Sequence, residues 1–364
     1  MASAYDQVAS NIRRFGDNDN VHAQEKIPLQ PDIQQLIRCA TLAASSHNTQ
    51  PWKFLVSTPN NKEDNKTNLD HTVIQIIPDL SRRCPVVDPD DSHLYKSLGC
   101  AAENMVHAAA AQGFQAQVHW DEQRDRVVVD LHRDTTTNTD ELYHAIFRRQ
   151  CTKMAYDGSQ LSQEEMEALH KVVVGEKSNV RIILLTSDDD KQRVIDYVNQ
   201  GNLDQLTDPS WREELLSWIR FNPRQALDTG DGLAGRTGGS PSIPSWLGRF
   251  MAGWIITPSG QVKADTTNIT SAAGVAVFVS SDNKSSWVQV GQVYERFALQ
   301  ATASNIRTAF INQPIEVHTI RPSFESWLGL QDGEHAQLMV RFGHGPVAPY
   351  SLRRPLEDVI VNAE

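Results

Sequence analysis

Twice along the chain the same coarse order appears: a helical stretch, a loop, a short apolar strand, a long helix and a further strand. The first pass spans residues 30–133 and the second 141–345, with no residue-level repeat between them. In the first block Ile33, Leu36, Ile37, Ala40 and Ala43–Ala44 recur at three- and four-residue spacing, as in an amphipathic helix. Ser45–Asn48 should stop that helix before Pro51 holds Gln50 extended. Trp52–Val56 alternates like a strand; an apolar strand at 73–77 and an alanine-rich helix from Ser92 to Gln112 follow. Two more strands are expected near 115–120 and 127–132. The second block predicts a helix at 141–149 and a capped one from Ser162, with Glu164 and Glu165 in its first turn. A strand at 180–186, helices at 188–205 and 209–220, a strand at 275–280 and a long helix at 286–308 come next. A short helix near 321–329 and a strand at 336–342 complete it. Mixed order without a sustained βαβ series predicts an α+β fold of two fused halves with central mixed or antiparallel sheets flanked by helices. The expected division is a polar arm at 1–29, a first half at 30–140 and a second half at 141–364.

The charge balance narrows the partners. Lys and Arg number 34 against 45 Asp and Glu, a formal net charge of −11 over 364 residues. Such a chain has no global attraction for nucleic acid or an anionic membrane. No apolar run approaches the roughly 18 residues that span a bilayer, and the N-terminal residues carry no secretory apolar core. Cys39, Cys84, Cys100 and Cys151 are scattered without a CxxC, which predicts reduced thiols and a cytoplasmic protein. HExxH, P-loop, GxSxG and strand-borne GxGxxG motifs are missing, and no metal site is expected. The sharpest composition shift is DTGDGLAGRTGGSPSIPS at 228–245, followed by Trp246, Phe250, Met251 and Trp254. That run predicts a mobile lid over about 222–265, with Trp246, Phe250 and Trp254 covering a pocket; Trp211 and Trp218, seven apart on one helical face, read as core.

One short segment carries the chemistry. Ser45-Ser46-His47-Asn48-Thr49-Gln50-Pro51-Trp52 packs two hydroxyls and two carboxamides into a turn between a helix and a strand. Carboxamides donate and accept at once, which suits a heteroaromatic ring with alternating N–H and C=O groups. It reads equally as a helix stop, a polar turn and a core Trp. Arg148–Arg149 and Arg353–Arg354 are locally unusual in an acidic chain. Guanidinium forks match a phosphate, and they also complement helix C-termini or pair with carboxylates.

The stretch AASSHNTQPWKF resembles the (P/A)SSxNxQPW(x)F signature of the nitroreductase superfamily of FMN-binding oxidoreductases. FRRQCTK at 147–153 is similar to that family's RRSxR or RHSTK segment, NQPIE at 312–316 to its PIEG loop, and VRFGHGP with RRPL at 340–356 to its C-terminal segment. The resemblance implies that Ser45, Ser46, His47, Asn48 and Gln50 contact the ring of an FMN. It implies that Arg148, Arg149, Arg353 and Arg354 hold the phosphate and Lys153 the N1/O2 side. Gln313, Pro314, Ile315 and Glu316 would lie beside flavin N5. Gln150–Cys151 and Val317 depart from the family pattern. The basic segment follows the signature, an order that resembles the Acg-type single-chain branch, in which two halves form an internal pseudo-dimer. The implied activity is an NAD(P)H oxidoreductase acting through flavin N5, without a catalytic side chain, on a nitroaromatic, a quinone or a similar small-molecule acceptor. The alternative is a flavin-sequestering protein whose lid blocks turnover. A monomer or weak homodimer is expected.

Overall fold

A computed structural model describes residues 3–14, 29–57, 71–134, 140–174 and 179–362. Most of the expected arm, the loop after residue 57 and the linker 135–139 lie outside the described residues. The chain starts with α1 (Ala4–Asn11), α2 (Pro31–Thr41), β1 (Trp52–Ser57), β2 (His71–Pro78), α3 (Ser92–Ala111), β3 (Phe114–Asp121) and β4 (Arg126–Arg133). It continues through α4 (Glu141–Ile146), α5 (Gln163–Val174), β5 (Arg181–Leu185), α6 (Asp188–Thr207) and α7 (Pro209–Trp218). The glycine-rich region holds β6 (Ile219–Arg220), α8 (Pro223–Thr229), β7 (Leu233–Ala234), α9 (Ser245–Ile255) and α10 (Pro258–Thr270). Then come β8 (Gly274–Ser280), α11 (Lys284–Ala303), β9 (Arg307–Phe310), α12 (Gln313–Glu316), α13 (Arg321–Trp327), β10 (His335–Gly343) and β11 (Ile360–Val361). The fold is α+β, as the mixed order predicts.

Two larger sheets flank a central helix pair. One runs β11-β1-β2-β4-β3, antiparallel except where β11 joins β1 in parallel; the other runs β5-β8-β10-β9 and is antiparallel throughout. β8 is buried at all seven positions because both of its faces are covered. Val275, Val277 and Val279 face Val194 and Val198 of α6 and Ile269 of α10, whereas Ala276 and Phe278 join the core around α11. The last strand returns to the first sheet, with Phe54 N donating to Val359 O at 2.7 Å.

Between the sheets α3 packs on α11 at main-chain contact. A Cβ on Gly99 would lie 2.0 Å from Val288 O, and one on Gly291 1.9 Å from Lys96 O. Each glycine is the eighth residue of its helix, so the crossing is reciprocal. A buried ion cluster rivets the same pair: Arg296 of α11 bonds Glu103 of α3 at 2.6 Å and 2.9 Å, and His107 bonds Glu103 at 3.1 Å.

Three expectations need correction. The start of the arm is a helix with a capping box between Ser3 and Asp6, and Tyr5 and Ala9 are buried against Ala226, Ala234 and Leu352. The glycine-rich region is largely helical, since Pro223, Ser245 and Pro258 each open a helix. The long second helix ends at Ala303, and Asn305 with φ 59° turns the chain into β9.

Gly99→Ala and Gly291→Ala should each destabilise the protein by about 1–3 kcal/mol or more, because backbone rather than side chain blocks the added methyl. Urea unfolding of the two variants measures this, and Gly329→Ala, where open space surrounds the glycine, tests backbone strain without a clash.

Candidate functional site

The turn after α2 is built from unusual backbone. His47, Asn48 and Gln50 all have positive φ (48°, 55° and 53°), a region that costs free energy for side-chain-bearing residues. Hydrogen bonds from distant segments hold it. Asn48 Nδ2 donates to Gly232 O at 3.1 Å, and Gly232 N donates back to Asn48 O at 3.2 Å. Gln50 Nε2 donates to Gly230 O at 2.9 Å, and its Oε1 accepts from Arg354 N at 2.8 Å. Arg82 bonds both Thr49 O and Asp231, and Arg220 closes on Asp231 at 2.6 Å. The carboxamides of Asn48 and Gln50 are therefore engaged by the protein. Gln50 is fully buried, and Trp52 is core.

The guanidiniums do related work. Arg353 donates to Thr41 O at 2.7 Å, Leu42 O at 2.9 Å and Ala43 O at 3.2 Å, capping the C-terminus of α2, and reaches Asn48 Oδ1 at 3.1 Å. Arg149 also donates to Leu42 O at 2.9 Å and pairs with Glu295 at 2.9 Å. Arg13, from the end of the first helical segment, lies beside them, donating to Arg149 O at 3.3 Å and stacking on Tyr350 at 4.3 Å. Three buried guanidiniums thus share one buried carboxylate. Desolvation, then repulsion from Arg149, lowers Arg13 to about 9, and its Nε and Nη2 atoms are buried without a partner among the described residues. The Arg13–Arg14 doublet is the signal that could have revealed Arg13, but it lay in a segment read as a loose arm.

Beside this cluster a cavity of about 400 Å³ opens across the α3–α11 pair. Ser45, Ser46, His47, Asn48, Arg149, Lys153, Gln313, Glu316 and Arg353 line it, from four segments far apart in sequence. The structure leaves the other expected site residues off the wall. Arg148 is exposed, Pro314 and Ile315 are buried, and Arg354 binds Gln50 O and Asp358 O. Trp246, Phe250 and Trp254 are 70–74% exposed and do not line the cavity. The other face of α9 is the packed one: Gly248 sits on Phe221, and Ala252 is buried. Trp211, Leu215, Leu233 and Ile256 provide the apolar wall instead. Trp211 therefore lines the cavity rather than the core, and Trp218 lies under Arg82 and Arg220. His93, Lys96, Tyr294 and Asn202, unmarked by any motif, also line it.

A flavin mononucleotide fits this chemistry in part. Ser45 and Ser46 offer hydroxyls, the guanidinium excess and Lys153 offer positive charge, and Tyr294 Oη and Gln313 Oε1 are buried polar atoms without a partner among the described residues. Desolvation, then Lys153, lowers His47 to about 4, so its imidazole is neutral at physiological pH. The folded state then binds fewer protons than the unfolded chain between pH 6.5 and about 4. Stability should fall as pH drops through that window, and the fall should be shallower in His47→Gln, read by thermal unfolding. Arg353→Leu should cost about 3 kcal/mol in urea unfolding even without ligand, since it orphans the carbonyls of residues 41–43.

No family model matches the chain. A Mycobacterium tuberculosis H37Rv protein named "Putative NAD(P)H nitroreductase" is 25% identical over 340 residues, 90% of each chain. An "Uncharacterized protein" of the same strain is 20% identical over 345 residues, 90% of this chain and 92% of the other. Among solved structures, the FMN-dependent nitroreductase NfnB from Mycobacterium smegmatis in complex with NADPH aligns at 12% identity and a TM-score of 0.41, covering 61% of this chain and 100% of that one. Along nine-tenths of both chains this chain is therefore similar to a protein named as a putative nitroreductase, and its Ser45–Trp52 stretch resembles the nitroreductase signature.

Proposed function

We propose that this protein is an FMN-dependent oxidoreductase that takes hydride from NAD(P)H and passes it to an electron-poor acceptor such as a nitroaromatic or a quinone. The observation that carries the reading is the convergence of Ser45–Asn48, Arg149, Lys153, Gln313, Glu316 and Arg353 on one cavity. The name of the full-length relative supports the same reaction class. When bound, the flavin supplies the hydride chemistry, so the protein needs no nucleophile or metal of its own.

The chain's residues bind and orient. Ser45 and Ser46 face the cavity with hydroxyls that donate to ring carbonyls or accept from ring N–H groups. Lys153, on the same wall, would stabilise negative charge on a bound ring. Arg149 and Arg353 act mainly by holding the turn rigid, and the surplus charge they share with Arg13 favours a phosphate nearby. Both halves contribute walls, so we read the chain as an internal pseudo-dimer that completes its site as a monomer.

The second reading is a lidded flavin holder, favoured by one observation: Gly232, Leu233, Thr237, Ile256 and Gln261, all within the glycine-rich region, line the cavity. Gly230 and Gly232 also anchor Gln50 and Asn48, so excising that stretch would damage the site itself. Leu233→Ala with Ile256→Ala opens the wall without touching those anchors.

An anaerobic absorbance spectrum of the purified protein, before and after NADPH and then NADH, tests the main reading. The expected result is flavin absorbance that bleaches promptly with one nicotinamide. Absorbance that persists with both, and bleaches about tenfold faster in the double variant, favours the lidded holder. A colourless protein that FMN cannot reconstitute overturns both.

A further inference from the structure

The cavity holds a cluster of titratable groups that positioning a ring does not require. Glu316, at the end of α12, lines the wall with 16% of its side chain accessible. Its Oε2 accepts from Gln205 Nε2 of α6 at 2.7 Å, and its Oε1 lies 3.6 Å from His93 Nε2 of α3. Lys96 lies one turn beyond His93, is 3% exposed and donates to Ser92 Oγ at 3.1 Å. Both also line the cavity. Asp88 anchors this end of α3 by accepting from His93 N and Leu94 N at 3.0–3.1 Å. The charges of Arg321 and Asp282 bear on Lys96, and those of Lys96, His47 and Arg321 bear on His93.

We propose that Glu316 is the proton donor to the acceptor in this cavity, with His93 as the positioning residue through which it is refilled. The proposal rests on the oxidoreductase reading above. Reduction of a quinone by NAD(P)H consumes one proton besides the hydride: the hydride brings two electrons and one hydrogen, and the second O–H bond needs a proton. Glu316 gives that proton from its carboxyl oxygen, becomes a carboxylate, and recovers a proton from solvent by way of the His93 imidazole.

The local electrostatics suit the task. Burial, and secondarily Asp88, push Glu316 up to about 7 against the bond from Gln205 and the charge of Lys96. The carboxyl therefore exists in both forms near neutrality, where a donor transfers and reloads with least loss. Burial pulls Lys96 down to about 7 and His93 well below its ordinary value, so the His93 imidazole is neutral and free to relay a proton. Neither the nicotinamide step nor flavin binding calls for such an acid on this wall.

The test separates proton-coupled from proton-free acceptors. In Glu316→Gln, the amide oxygen can still accept from Gln205, which preserves the wall. Anaerobic stopped-flow measurement should give reduction by NAD(P)H within about twofold of wild type. Reoxidation by benzoquinone should slow by about tenfold or more and lose its pH dependence around 7. Reoxidation by ferricyanide, which takes electrons without protons, should stay within about twofold. Independently of turnover, the infrared spectrum of the flavin-free protein should contain a protonated-carboxyl C=O band that titrates near neutrality and is missing in the variant. Unchanged benzoquinone kinetics, equal loss with both acceptors, or no such band would overturn the proposal. A wild type that neither nicotinamide reduces overturns the oxidoreductase reading instead, and the infrared band then decides the state of the acid by itself.

Discussion

The contact between α3 and α11 sets the distance on which everything else depends. Gly99 and Gly291 let two main chains meet where any other residue would force them apart. Spreading that pair would separate His93 and Lys96 on one helix from Tyr294 and Glu295 on the other. Those four residues supply the floor of the cavity and the carboxylate for the guanidinium cluster. The Glu103–Arg296 pair locks the register of the same crossing, with Glu103 buried, Arg296 partly so and the two hydrogen-bonded. Interior packing thus fixes the cavity's width, and the two sheets serve largely to press the helices together.

Around that axis the signature turn is held by residues that arrive from elsewhere. Three positive φ angles in four residues persist only if surrounding contacts over-determine them. Gly230 and Gly232 hold one side, and Arg353 with Arg354 holds the other. The glycine-rich region is consequently a wall and a buttress. The Asp231 carboxylate, shared by Arg82 and Arg220, ties that region to the turn.

Much of the fold was legible because it rests on local periodicity. The spacing of Ile33, Leu36, Ile37 and Ala40 specifies α2 wherever the rest of the chain goes, and the Ser162–Glu165 pair forms the N-terminal cap that its spacing predicts. The short β6, β7 and β11 had no such signal, since two-residue strands exist only through their partners. Within the site, Ser45, Ser46 and Lys153 could be named from motif spacing and do line the cavity. Gln50 and Arg354 could be named equally well, yet they bond each other behind the wall. Spacing along a chain does not encode which side of a turn faces a void.

The sequence by itself determined the α+β class, the helix faces and the polar character of the 45–52 turn, because each follows from residue order within a dozen positions. Only the tertiary structure decided what those groups do. It turned Arg149 and Arg353 inward to cap α2 rather than leaving them free for an anion, and it aimed the aromatic stripe of α9 outward. It also brought Glu316, His93 and Lys96 to one wall although more than 200 residues of chain separate the first from the others. Those outcomes depend on which surfaces are left to be covered once the two long helices have met, and that is a property of the assembled core.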